Sequence, residues 1–251
     1  MPLVYYMKGI FYLNRQNGLQ RCSGCSKQWY CNRDCQRGSW DVHRYECKNL
    51  KRIHPLDPPD AARLLARAVF RLQNGGDKTE EKIDERRSRK FKDLMDHNKD
   101  VKEDKKRYEH FLSLVVVLHK YIGAENLPSE ADLLGIFGRI CINSFNINDS
   151  SLNPVGTGLY LAASIFDHSC QPNAFVTFES TSLIVRSMVD WKALDWSKIR
   201  ISYNDVMNTN EDRLEELHQR YYFWCDCNHC HDVKRNMVMS SIICGECMES
   251  C

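Results

Sequence analysis

Asp167-His-Ser-Cys170-Gln-Pro-Asn173 holds a cysteine with no partner nearby, and Cys225-Asp-Cys227-Asn-His-Cys230, much later in the chain, is a cluster one ligand short. A structural zinc takes four Cys or His ligands, and a C-x-C-x-x-C cluster alone leaves one corner of the tetrahedron open. Cys170 is the natural fourth ligand. His168 lies two residues before Cys170 and Phe223 two before Cys225, so one metal would pin both beside the same cleft. Tyr203 falls between them on an apparent strand, Ile199-Arg-Ile-Ser-Tyr203.

A second cluster lies upstream: Cys22-x-x-Cys25, Cys31-x-x-x-Cys35 and His43-x-x-x-Cys47, with Tyr30 and Trp40 between the ligands. Its spacing resembles a MYND zinc finger. The downstream order of parts resembles the C-terminal half of a SET domain, the fold of protein-lysine methyltransferases that use S-adenosylmethionine. A MYND finger inserted in a split SET domain marks the SMYD family, and the resemblance runs from about residue 20 to residue 230.

Bulk properties narrow the setting. At 251 residues the chain can bury a real core. Its formal charge of +2 is nearly balanced and demands neither nucleic acid nor membrane. Thirteen cysteines in a chain of this length come in metal-type spacings, which points to a reducing compartment, cytoplasm and/or nucleus. The N-terminus is apolar but lacks a basic leader and a small-residue cleavage site, so no signal peptide is expected. The longest later apolar run, 111–118, is too short to span a bilayer.

Along the chain, Pro55, Pro58 and Pro59 end what precedes them, and Asp60 can cap a helix with Leu64, Leu65, Ala68, Val69 and Leu72 at helical spacing. Gly75-Gly76 stops it. Residues 77–107 mix acids and bases with sparse apolar positions, which reads as a solvated helix or mobile insertion rather than a nucleic-acid surface. Residues 111–122 and 133–145 look like core helices, the second ending in Asn143-Ser144-Phe145. Gly156-Thr-Gly158 reads as a turn, followed by β-prone stretches at 175–178, 183–189 and 199–203. A last helix runs from a Thr209 cap through Leu214 and Leu217 to Tyr221. Cys141 reads as a core thiol.

The resemblance implies an α+β protein: partial SET-type small β-sheets with an inserted helical region, a MYND zinc finger and a post-SET zinc cluster. It divides the chain into an unassigned segment 1–19, the finger 20–50, a helical insert region 55–145, a C-terminal SET core 146–210, a post-SET zinc region 211–235 and a tail 236–251. It also implies roles. Cys22, Cys25, His43 and Cys47 would form one complete zinc site, and Cys31 and Cys35 part of another. Cys170, Cys225, Cys227 and Cys230 would form a closed structural site that does not activate water. Tyr203 would be the catalytic residue at the neck of a lysine channel. Tyr221 would line that channel, and Asn143, Ser164, Asp167, His168 and Phe223 would hold S-adenosylmethionine. Partners would be a protein substrate or a proline-containing peptide.

The chain departs from the family in several places. No C-x-x-C precedes Cys22, so the second finger site is half metallated, completed by thiols from elsewhere, or cut off by a lost beginning. Asp167 stands where the family has asparagine, and Leu194-Asp-Trp-Ser-Lys198 replaces a Gly-Glu-Glu-like turn. Only nineteen residues precede the finger, so the SET strands and Gly-x-Gly loop that wrap the cofactor are expected to be missing. Cys244, Cys247 and Cys251 have half-site spacing without a partner, fitting a chain cut short or an extra zinc site. Two functions follow: a SMYD-type methyltransferase using S-adenosylmethionine, or a catalytically impaired zinc-held interaction module built on the finger. A Cys170–His168 nucleophilic pair is the weaker reading, because the thiol serves better as a ligand.

Overall fold

A computed structural model describes residues 3–6, 19–149, 151–179, 182–193 and 195–241. They fall into two compact units, Met1–Ala162 and Ala163–Cys251, each considered by itself. Cys244, Cys247 and Cys251 lie outside the described residues.

The first unit runs β1 (Leu3–Tyr6), a hairpin β2 (Gln20–Arg21) and β3 (Trp29–Tyr30), then helices α1 (Arg33–Arg52) and α2 (Asp60–Gln73). A second hairpin, β4 (Glu80–Lys82) and β5 (Ser88–Lys90), precedes helices α3 (Asn98–Glu103), α4 (Lys105–Ile122) and α5 (Glu130–Asn143) and strands β6 (Ser144–Asn148) and β7 (Pro154–Leu159). The second unit holds β8 (Asp167–His168), β9 (Ala174–Glu179), β10 (Ser182–Ser187), β11 (Arg200–Ile201) and helices α6 (Asn210–Tyr221), α7 (Asn228–His231) and α8 (Val233–Ser240). Helices and small sheets in one chain make an α+β protein.

Apolar spacing accounts for the helical bed. Helix α2 buries Leu64, Leu65, Ala68 and Val69, as its periodicity predicts, and each large aliphatic side chain so buried stabilises by about 1.5–3 kcal/mol. Its N-cap is Pro59, without a side-chain cap bond, and Asp60 is the first helical residue rather than the cap. A proline there is tolerated because the first-turn amides have no helical partner anyway. Helix α4 starts at Lys105, six residues earlier than its apolar run, because the Asp104 carboxylate accepts from the Arg107 amide and caps it. Its buried face, Phe111, Leu114, Leu118, Tyr121 and Ile122, meets α5 through Phe111 and Phe137 at 5.4 Å between ring centroids. Ser144 and Phe145 open β6 instead of ending the helix.

Residues 77–107 are neither one solvated helix nor without structure. The charges of β4 and β5 face each other across a hairpin, Glu80 opposite Lys90 and Glu81 opposite Arg89, while Leu94 and Val101 are buried anchors on either side of α3's start. Cross-strand pairing of opposite charges explains why the segment looked merely solvated in sequence.

The Gly156-Thr-Gly158 stretch is not a turn. It lies in β7, the central strand of an antiparallel sheet of order β1-β7-β6, paired with Leu3–Tyr6 on one side and Ser144–Asn148 on the other. Residues 3–6, which carried no motif, therefore supply an edge strand. The glycine at 158 makes room: a Cβ there would stand 2.7 Å from the Tyr160 ring and 3.1 Å from Ile147 Cδ1. Both neighbours are buried, so the sheet cannot give way freely. Gly158→Ala is expected to destabilise the protein by about 1–3 kcal/mol, the range for overpacking a filled core. Thermal unfolding checks it, and an unchanged midpoint would show that Tyr160 swings aside.

In the second unit the β9–β10 hairpin forms as predicted, with its second strand ending at Ser187 rather than 189. The expected strand 199–203 shrinks to β11, which pairs parallel with β8 over two residues, Arg200 with Asp167 and Ile201 with His168. Tyr203 lies past its end. Helix α6 begins where predicted, with the Thr209 hydroxyl accepting from the Asp212 amide. Among the described residues no helix is long and apolar enough to cross a membrane.

Candidate metal centres and active site

The first centre assembles from a hairpin and a helix. Cys22 and Cys25 lie within the β2–β3 connection, where the Cys22 amide donates to the Gln28 carbonyl and the Ser26 amide to the Cys22 carbonyl. Helix α1, capped by Asn32 accepting from the Cys35 amide, carries His43 and Cys47 one turn apart on one face. Cys22 Sγ stands 3.7 Å from Cys47 Sγ, and Cys25 Sγ 3.5 Å from His43 Nε2. A tetrahedron with zinc–sulfur bonds of about 2.3 Å has edges of about 3.8 Å, so the donors already stand at metal-binding separation. Gly24 belongs to this geometry, since a Cβ there would meet Cys47 Sγ at 2.7 Å.

Of the thiols here, burial and the neighbouring Cys22 and Cys25 push Cys47 up, whereas Cys25 is poised to ionise. Burial pushes the Cys25 thiol up, but hydrogen bonding with His43 and with the Lys27 and Gln28 amides outweighs it and holds the thiol at about 6. A thiol that ionises near neutrality is ready to ligate.

Behind His43 sits a group absent from the sequence reading. Glu46 is fully buried, accepts from Arg63 Nε at 3.1 Å, Arg67 Nη2 at 2.5 Å and the Tyr121 hydroxyl at 3.3 Å, and lies 3.8 Å from His43 Nδ1. At 3.8 Å the carboxylate faces the histidine as a charge rather than as a hydrogen-bond acceptor. It also joins α1 to α2 and α4. The available signal was Glu46 at i+3 from His43, facing Arg63 and Arg67 at i,i+4 on the next helix.

Cys31 and Cys35 are exposed and belong to neither four-ligand group among the described residues. Cys141 is partly buried, and burial pushes its thiol up to about 11, the behaviour of an inert core thiol.

The second centre is built by the two quoted stretches. The donor sulfurs of Cys170, Cys225, Cys227 and Cys230 lie within 4.8 Å of one another, and Cys227 and Cys230 are 3.7 Å apart. Asn173 holds the first stretch against β11: its Oδ1 accepts from the Arg200 amide, its Nδ2 donates to the Lys198 carbonyl, and its amide donates to the Arg200 carbonyl. The last residue of the quoted stretch is thus its anchor. On the other side Leu217 of α6 packs on Cys170 and Cys230.

Around this centre an aromatic group collects. Tyr203, Tyr221 and Phe223 pack against the cysteine cluster, with Tyr203 4.9 Å from Tyr221 and 6.4 Å from Phe223 between centroids. Tyr222, the C-cap of α6, takes the left-handed conformation at φ 64°, which turns the chain between Tyr221 and Phe223 so that both reach the same cluster. His168 lies 5.3 Å from Tyr203 and 5.9 Å from Phe223.

Two hydrogen bonds make His168 a bridge. Its Nδ1 accepts from the Tyr203 amide at 3.0 Å, which leaves the proton on Nε2, 3.3 Å from Cys170 Sγ. An Nε2–H in that position donates to sulfur and cannot serve as a base for the thiol, so no nucleophilic pair exists here. Burial, with the Arg213 charge adding to it, lowers the His168 pKa to about 4. The Tyr203 hydroxyl donates to the Phe166 carbonyl at 2.6 Å.

The remaining residues of the sequence reading stand as follows. Ser164 lies in a 3-10 turn, Ala163–Ile165, of the second unit. Asp167 is exposed, with its carboxylate 3.9 Å from Arg200 Nη2. Asn143, at the end of α5 in the first unit, donates through Nδ2 to the Met95 and Arg139 carbonyls.

Comparison with known proteins fits this architecture. A MYND finger model matches residues 13–47, which makes the chain a MYND zinc-finger protein. It is 36% identical over 226 residues to "Histone-lysine N-methyltransferase SMYD3" of Homo sapiens, covering 88% of this chain and 51% of the relative. It is 30% identical over 231 residues to "N-lysine methyltransferase SMYD2-A" of Danio rerio, covering 91% of this chain and 51% of the relative. The chain belongs to the SMYD family. It spans about half the length of the curated relatives it matches.

Proposed function

We propose that the chain is an S-adenosylmethionine-dependent protein-lysine methyltransferase of SMYD type, acting on a histone or another protein, with zinc as scaffold in the cytoplasm and/or nucleus. The observation that carries this reading is the aromatic group of Tyr203, Tyr221 and Phe223 seated on a four-cysteine centre and bridged to it by His168. S-adenosylmethionine, when bound, supplies the methyl group. Ser164, Asp167, His168 and Phe223 of the second unit are the residues we assign to hold it.

Tyr203 is assigned the transfer site. Its proton is committed to the Phe166 carbonyl, so its oxygen can only accept a further hydrogen bond, the role that orients a substrate amine N–H. The amine attacks only when neutral, and aromatic walls such as Tyr221 and Phe223 lower a lysine's pKa by withholding water from its charged form. Positioning in such a walled site supplies the remaining advantage.

Tyr203→Phe is expected to lower methyl transfer to a protein lysine by about 10²-fold, the scale of losing one preorganised polar contact at a reacting centre. Transfer of labelled methyl to a protein substrate measures it, with zinc content as the control. A rate equal to wild type would remove Tyr203 from the site. A second reading is a catalytically impaired, zinc-held interaction module that recruits a proline-containing peptide through its finger; in it the Asp167 carboxylate, 3.9 Å from Arg200 Nη2, serves that ion pair rather than a cofactor.

A further inference from the structure

Arg213 is 1% exposed, among the most completely buried side chains of the protein, yet among the described residues no carboxylate pairs with it. A buried cation needs a partner charge or full hydrogen bonding. Its Nη atoms donate to neutral acceptors, the Asn208 carbonyl, Asn210 Oδ1 at 3.1 Å and Met239 Sδ at 3.8 Å. Its Nε–H is buried without a partner.

The surroundings supply the missing anion. Arg213 stands one helical turn before Leu217 on α6, and Leu217 packs on Cys170 and Cys230. Asn210, which accepts from Arg213, itself donates to the Cys230 carbonyl at 3.4 Å. Four cysteines that ligate a divalent metal do so as thiolates, so the filled centre carries a net double negative charge in a water-poor site.

We propose that Arg213 is the built-in counter-charge of the four-cysteine centre, a positioning residue whose buried guanidinium offsets the surplus negative charge of Cys170, Cys225, Cys227 and Cys230 around their metal. The dependence is mutual: the centre gives the guanidinium an anion, and the guanidinium lets four thiolates stand together. The first centre, with His43 as a neutral ligand, carries one charge fewer and has the Glu46 network behind it instead.

The test is chelator competition on the zinc-loaded full chain, following release of each zinc, with cobalt substitution to tell a four-sulfur site from a three-sulfur one by its absorption. Arg213→Met and Arg213→Gln remove the charge, the second retaining hydrogen-bonding capacity, and Arg213→Lys retains the charge. In the two neutral variants the four-cysteine centre is expected to bind zinc roughly 10–100-fold more weakly, the range for outer-shell partners of a metal site, with the first centre unchanged. Arg213→Lys is expected to stay close to wild type. Equal affinity in wild type and both neutral variants would overturn the proposal, and so would a lysine variant as weak as they are. Should Arg213→Met fail to fold, the lysine and glutamine variants carry the comparison. The inference rests on the zinc reading of this cluster, and a wild-type chain that takes up no metal there would remove that reading as well.

Discussion

Stripping the metal from Cys22, Cys25, His43 and Cys47 is expected to unfold the finger. A filled structural zinc site contributes about 10–16 kcal/mol of apparent binding free energy in finger peptides, comparable to the whole stability of a domain. Apart from the Glu46 network, the segment's own structure adds little: β2 and β3 are two residues each, and the buried stripe of α1 is His43, Glu46, Asn49 and Leu50, with one apolar member. Cys25→Ser should reproduce the effect without a chelator. Far-UV circular dichroism should show helix content falling by the equivalent of α1, with recovery on adding zinc back to the wild type only. Helix content unchanged after complete metal removal would mean that the Glu46 network alone holds α1.

Glu46→Ala is the other large effect, a destabilisation of about 3–5 kcal/mol, because truncation takes the carboxylate from the buried Arg67 and the partly buried Arg63. Glu46→Gln keeps the shape and loses the charge. Burial raises the carboxyl's pKa, but Arg67, His43 and Arg63 outweigh it and hold Glu46 far below its ordinary 4.5. A depressed carboxylate contributes stability that is fully present above its unfolded pKa and is lost as pH falls toward the folded one. Wild type should therefore lose more stability than Glu46→Gln between pH 5 and pH 2, and the two should converge in acid. Urea unfolding across that range measures the difference, with zinc content followed at each pH because protons compete for the thiolates. Parallel pH profiles would mean that the network contributes no charge-dependent stability.

The two metal groups and the start of α6 were legible because ligand spacing and capping are local signals, carried by Cys22-x-x-Cys25, Cys225-x-Cys227-x-x-Cys230 and Thr209. Helix α1 was not read as a helix because ligands and Glu46 occupy the stripe that apolar residues usually mark. The three-stranded sheet was missed because glycines at 156 and 158 suggest a turn, and only the packing of Tyr160 and Ile147 explains glycine in a central strand. The strand carrying Tyr203 was drawn too long: β11 ends at Ile201, and a hydrogen bond from the Tyr203 amide to His168 takes over from the ladder. Glu46 and Arg213 lay beyond the sequence reading for one reason. A charged residue on a helix looks solvated until the fold shows what it faces.

The most direct test of the central claim is calorimetric titration of S-adenosylmethionine into the chain with zinc confirmed at both centres. The account predicts saturable one-to-one binding that is lost in His168→Ala. A folded, fully metal-loaded chain that gives no binding heat at any ligand concentration, and no transfer to protein lysine, would contradict it.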